Sequence, residues 1–365
     1  MGAEQRAPLR AFLKAYSDSS FTNPHEVVRP DEPPACTGRF THMGAMYWGF
    51  ETARHRATRV LPGGEALRFD HDAHHWLTLG LVQPAEIDAL AISTRWFTGN
   101  QVPEVSVELR AADGTARRVL ERVKLAPDSE HHFEFSPVPA SECHIECYHE
   151  GGIARIQLFG TARPDAQSDA RENLLESAQV SHVSNAHYGH PDDAIRGRRL
   201  EDHMKGWESA RSGFGEQALF HLASPAVIEE IIVDTYLHRL NPPLSCHVFG
   251  ILAAEDDIER HLDAAPAWTL TFDDGTERTP EDFQAYMREA RYLEEDLADN
   301  RAFNVSLRPD PASAWVALLP FAPLAPDTWH TFGAAASGPV SHVLYMHYPN
   351  GGIHGLRMLG RPAPP

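Results

Sequence analysis

At 365 residues the chain exceeds what one hydrophobic core usually serves, so two domains are the first expectation. A formal net charge of -19 gives no positive field for a phosphate backbone or an anionic membrane surface, which makes nucleic acid and membrane poor partners. It does not exclude a small carboxylate held by a few arginines in a local concave site.

In chain order, residues 1–16 mix charges with short apolar pieces and lack a signal peptide's unbroken apolar core, so a cytoplasmic protein is expected. Four cysteines are too few and too uneven for a disulfide framework and are read as reduced thiols. The first landmark is Trp48-Gly49-Phe50-Glu51-Thr52-Ala53-Arg54. The second runs from Ile92-Ser93-Thr94 to Asn100 and Pro103, just before the alternating run Val105 to Leu109. Cys143 to Tyr148 and Ile153 to Phe159 also alternate faces between Gly, Pro and Asp, the mark of short antiparallel strands. The third landmark, Tyr148-His149-Glu150-Gly151-Gly152-Ile153, closes at Gly160.

The same three landmarks then return in the same order. They are Gly206-Trp207-Glu208-Ser209-Ala210-Arg211, then Val233-Asp234-Thr235 to Asn241 and Pro243, then Tyr348-Pro349-Asn350-Gly351-Gly352-Ile353 closing at Gly360. Asn100 and Gly151 lie 51 positions apart, whereas Asn241 and Gly351 lie 110 apart, so the second copy carries an insertion of 59 residues. Part of it reads as a helix, with Thr279 as N-cap, Pro280 at the first position, and Phe283, Met287, Ala290 and Leu297 at helical spacing. The expected architecture is all-β: one antiparallel β-sandwich per copy, over residues 1–165 and 166–365, with a partly helical insertion near 255–330. The polar stretch 161–169 marks the boundary.

These residues resemble the allantoicase family, whose modules each carry a Gly-Trp-Glu-Thr-Arg-Arg type motif, a Thr-x-x-Phe-x-Gly-Asn motif and an Asp-Gly-Gly-Ile-x-Arg motif. Glu51-Thr52-Ala53-Arg54-His55-Arg56, Thr94 to Asn100 and Gly151 to Arg155 fit them in turn. Asn173-Leu174-Leu175, Gly189 to Asp192 and Gly206 to Glu208 resemble the opening of the second module. The resemblance implies hydrolysis of allantoate to ureidoglycolate and urea on paired jelly-roll-like sandwiches. Together with the apolar segment Trp315 to Phe321, it also implies a homo-oligomer; the plainer reading of that segment is a core strand. The chain departs from the motifs at Trp48-Gly49-Phe50, at Glu150, at Leu240 where glycine is usual, and at Gly213, where the counterpart of Arg56 is missing.

Allantoate carries a carboxylate and two ureido groups, so its site needs cationic forks and hydrogen-bond acceptors. Arg54, Arg56, Glu51 and Asn100 offer that set, joined on the family pattern by Glu150 and Arg155. Glu51 either orients the arginines or serves as general base. Glu208, Arg211 and Asn241 are the second copy's counterparts. Against this stand structural readings: Glu51 and Arg54 as a local ion pair, the Gly-Gly pairs as tight turns, and Arg155 as a solvent-facing residue. Cys143, His144, Cys147 and His149 lack the spacing of a zinc set, and the adjacent pairs His74-His75 and His131-His132 point to opposite faces. No metal ligand set and no cofactor is assigned, and a divalent ion shared by one or two histidines with acidic groups is left open. No nucleophile motif occurs, which favours water attack or elimination over a covalent intermediate. The rival class is a non-catalytic binding module, since such sandwiches often bind ligands through loops at one end.

Overall fold

The computed structural model describes residues 7–163, 171–279, 303–308 and 313–363, apart from 20–21, 36–37, 42–43, 46, 197–198, 200–205 and 212–214. The chain divides into two compact units, Met1–Gln167 and Ser168–Pro365. Every ladder among the described residues is antiparallel.

The first unit is built from β1 (Ala11–Tyr16), β2 (His74–Ser93), β3 (Glu104–Arg110), β4 (Ala116–Lys124), β5 (Glu130–Tyr148) and β6 (Arg155–Ala162). Its two longest strands pair with each other along most of their length, and β2 changes its other partner midway. The first half of β2 pairs with β1 and the end of β5, and its second half pairs with β6 and the start of β5. The change of partner falls at Val82-Gln83-Pro84, which is exposed, while β5 shifts register between Glu134 and Val138 and between Ala140 and Glu142. Proline cannot donate to a ladder, so a bend is where a strand tolerates it. Leu77, Leu79, Ile87, Leu90, Ile92, Cys143, Ile145 and Ile156 from both halves fill a single core.

The second unit repeats this plan with β7 (Gln179–Val183), β8 (Glu216–Asp234), β9 (Ser245–Ile251), β10 (Val316–Pro323), β11 (Trp329–Gly333), β12 (Val340–Tyr348) and β13 (Gly355–Pro362). Strand β8 pairs with β7 and β12 at its start and with β11 and β13 at its end, as β2 does with its own partners. The work of β5 is here divided between β11 and β12. The extra residues follow β9: a helix over Ile258–Asp263, then strand Ala267–Phe272 paired with Glu277–Arg278 and Phe303–Arg308. Ile258 and Trp268 cover Leu219, Phe249, Leu344 and Met346 on one sheet face. The helix expected from Pro280 to Leu297 lies outside the described residues. Trp315 and Leu318 are buried, so the segment Trp315 to Phe321 is largely a core strand, with Val316 and Phe321 exposed.

Candidate active site

In the first unit a short ladder joins Phe50–Glu51 to Gly152–Ile153. Gly151 has φ 153°, and a side chain on it would run into the backbone of Gln101. A side chain on Gly152 would strike the ring of Phe97. The Gly-Gly pair is therefore a structural turn. It hands its backbone to the site: Gly152 N donates to Asn100 O at 2.7 Å and Thr52 N donates to Gly151 O at 3.1 Å.

Glu51 is only 9 % exposed, its N–H donates to Thr22 Oγ1 at 3.1 Å, and its carboxylate accepts from Asn100 Nδ2 at 2.9 Å. Burial raises its pKa, opposed by the Asn100 bond and by the charge of Arg54. Both Arg54 and Arg56 are exposed. The charges of Arg56 and Glu150 act instead on His75, a buried residue whose Nδ1 lies 3.3 Å from Ser17 Oγ. Burial, more than Arg56, lowers the His75 pKa, opposed by Asp18 and Glu150. Among the described residues, three buried polar atoms of these loops and strands have no hydrogen-bond partner: Trp48 Nε1, His75 Nε2 and Gln101 Oε1. Buried polar groups are rarely left so, which gives this region unused capacity for a polar ligand.

Sequence reasoning passed over His75 and Asp18. His74 and His75 do point to opposite faces, and it is this alternation that turns one of them inward. Asp18 accepts the N–H of Ala53 within the Glu-x-x-Arg segment. Arg155 does not join the group around Glu51, and it does not face open solvent. It is buried opposite Ser93, with its Nε donating to Asp31 O and an Nη to Ala154 O, both at 2.8 Å. It lies in a separate pocket lined by Asp31, Glu32, Ser93, Glu130 and Gln157.

The second unit keeps the frame and changes the chemistry. Thr94 Oγ1 donates to Ala126 O and Ser129 O and accepts from Ser129 N; Thr235 repeats all three bonds with Ala325 O, Thr328 O and Thr328 N. The threonine of the second landmark is therefore a loop fastener. Ladder register matches His75 to Glu216, each opposite its unit's Cys147 or His347. Glu216 accepts from Ser184, the counterpart of Ser17, and burial pushes it up to about 7. His238 takes the place of Phe97 under the Gly-Gly turn, and its interaction with Asn241 occupies the asparagine that in the first unit serves the glutamate. Leu240, where glycine is usual, is 99 % exposed, and so is Arg211 in the main. At the step matching Ser93 stands Asp234, held in a buried bidentate pair by Arg199 at 3.0 and 3.1 Å, and Gly355 replaces Arg155.

A family profile described as the allantoicase repeat matches residues 7–163 and again 172–363. A probable allantoicase from Schizosaccharomyces pombe is 26% identical over 95% of this chain and 89% of its own length. One from Nocardia farcinica is 27% identical over 94% and 89%. A crystal structure of allantoicase from Saccharomyces cerevisiae, 22% identical, covers 97% of this chain and 91% of that one with a TM-score of 0.35.

Proposed function

The chain belongs to the allantoicase family, both repeats included, and we propose that it hydrolyses allantoate to ureidoglycolate and urea around Glu51 in its first unit. In that reaction the bond between the methine carbon and one ureido nitrogen breaks. The oxygen of water ends on the methine carbon as a hydroxyl, and its proton goes to the departing urea nitrogen.

The observation that carries the assignment is Glu51 itself: only 9 % exposed, fixed by Asn100 at 2.9 Å and close enough to Arg54 to feel its charge. A carboxylate whose pKa is raised by burial is a stronger base than one in water and can take the proton of an attacking water. Asn100 holds it in one orientation. Arg54 and Arg56, exposed at the rim, offer planar forks to the substrate carboxylate. Glu150, whose charge acts on the buried His75 as that of Arg56 does, is assigned to accept a ureido N–H. Arg155 is assigned to holding the segment around Asp31 rather than to substrate.

No helix among the described residues is long and apolar enough to cross a membrane. Cys143, Cys147 and Cys246 are free and buried, as expected of a chain working in the cytoplasm. Association into a homo-oligomer is part of the same reading, with the outermost strand β10 and its exposed Phe321 as the surface offered. The deciding assay follows urea released from allantoate by the purified protein over time. Absence of release, with and without added divalent metal, overturns the assignment.

A further inference from the structure

We propose that the second unit binds a divalent cation of the zinc type through His221, Glu255 and His342, at a place separate from the hydrolytic residues. His221 on β8 and His342 on β12 are directly opposed across the ladder, and their rings stack 4.4 Å apart at 12°. Glu255, at the start of the inserted segment, lies over them, with its Oε2 2.8 Å from His221 Nδ1 and 3.3 Å from His342 Nε2.

The three ligand atoms all lie within 4.8 Å of one another. A tetrahedral zinc ion with bonds of about 2.0–2.2 Å sets its ligands about 3.3–3.5 Å apart, so rotamer adjustments of an ångström or less would seat it. Two imidazoles and one carboxylate are a donor set that suits zinc better than calcium or magnesium. His342 has a 1 % exposed side chain, and its Nδ1 lies 3.0 Å from Ser341 Oγ, which leaves Nε2 turned toward the cluster. The same hydroxyl accepts the N–H of Ala253 and donates to Ala253 O, so it fixes both a ligand ring and the loop that brings in Glu255. Support of this kind behind a ligand is what sets imidazole orientation at metal sites. The opposite side is open: the side chains of His221 and Glu255 are 35 % and 56 % exposed, which leaves room for a water ligand and for an ion to arrive.

The first unit makes the contrast. At the matching step of its ladder stand Gly80 and Glu142, the glycine packed against the ring of Phe12 and the glutamate paired with Lys14. Among the described residues the cluster occurs in the unit that carries the extra segment. An ion there would clip the residues around Glu255 and the following helix onto the sheet that Ile258 and Trp268 cover.

The test uses the full-length protein stripped with a chelator and titrated with Zn²⁺ by calorimetry, and with Co²⁺ followed by its visible absorption. The expected result is one equivalent bound, with a tetrahedral Co²⁺ spectrum, a raised melting temperature, and affinity lowered at least tenfold in His221→Ala and Glu255→Ala. Both altered side chains are partly exposed, so these variants remain folded even where His342→Ala does not. Absence of stoichiometric binding overturns the proposal, as does binding that both variants leave unchanged.

Discussion

Replacing Glu51 by glutamine separates the two roles open to that side chain. The substitution keeps the shape and keeps an oxygen for Asn100 Nδ2, so the 2.9 Å bond survives and the loop stays in place. It removes the charge and with it the base. General-base catalysis contributes about 10²–10⁴-fold, equivalent to about 3–5 kcal/mol of barrier, whereas weakening one orienting hydrogen bond costs about 1 kcal/mol, or about fivefold. Stability is expected not to fall at neutral pH. Burial raises the folded pKa of Glu51, so its ionisation opposes folding at pH values above the folded pKa, and glutamine relieves that cost. The assay is kcat and KM from urea release, with melting temperature measured alongside. The wild type should lose kcat/KM on the acid side as Glu51 takes a proton, at a higher pH than an ordinary carboxylate would, and the variant should lack that limb. A drop in kcat of less than tenfold with folding intact refutes the base assignment and leaves Glu51 as a positioning residue.

Four other outcomes follow from the geometry. Arg54→Ala or Arg56→Ala should cost at least tenfold in kcat/KM, from about 1.5–3 kcal/mol for a lost charged hydrogen bond, while Arg211→Ala should be milder; the reverse order moves the active site to the second unit. Glu216 binds its proton more tightly folded than unfolded, so it lowers stability progressively as pH rises from 4.5 to about 7, by up to about 3 kcal/mol, and thermal melts of Glu216→Gln should lose that dependence. Asp234→Ala removes the bidentate carboxylate that holds the buried Arg199 guanidinium and should destabilise by about 3–5 kcal/mol in denaturant titration. Light scattering should give a mass well above one chain, and Phe321→Glu should lower it; a single-chain mass in the wild type removes β10 as an interface.

The repeat was legible because its landmarks are positions where backbone geometry dictates residue type. Gly151 and Gly152 leave no room for a side chain, and Thr94 and Thr235 each satisfy the same three backbone groups. Alternation along Cys143 to Tyr148 announced a strand for the same kind of reason: every second residue faces a core. The 20-residue strand from His74 to Ser93 was not legible, because period two says which face a residue takes and not where a strand changes partner. Of the candidate residues, Glu51, Asn100 and Arg54 came together because they sit on loops joined by the short ladder and the Gly-Gly turn. His75 was missed since its value depends on register between distant strands. Arg155 was placed with the wrong neighbours because the segment from Pro30 to Pro33, which packs over it, leaves no mark in the motif.

The two buried arginines carry a lesson about divergence. Arg155 and Arg199 each bring a guanidinium to the strand step occupied by Ser93 in one unit and Asp234 in the other, yet one comes from the closing motif and the other from the segment before the first landmark. Position in the alignment and position in space have come apart, since the residue aligned with Arg155 is Gly355. A swap experiment guided by aligned columns would thus delete a cation from one unit and change nothing comparable in the other. The spatial counterpart of Arg155 is Arg199, and the two halves of this chain are to be compared by what occupies each place in the frame, whichever stretch of chain supplies it.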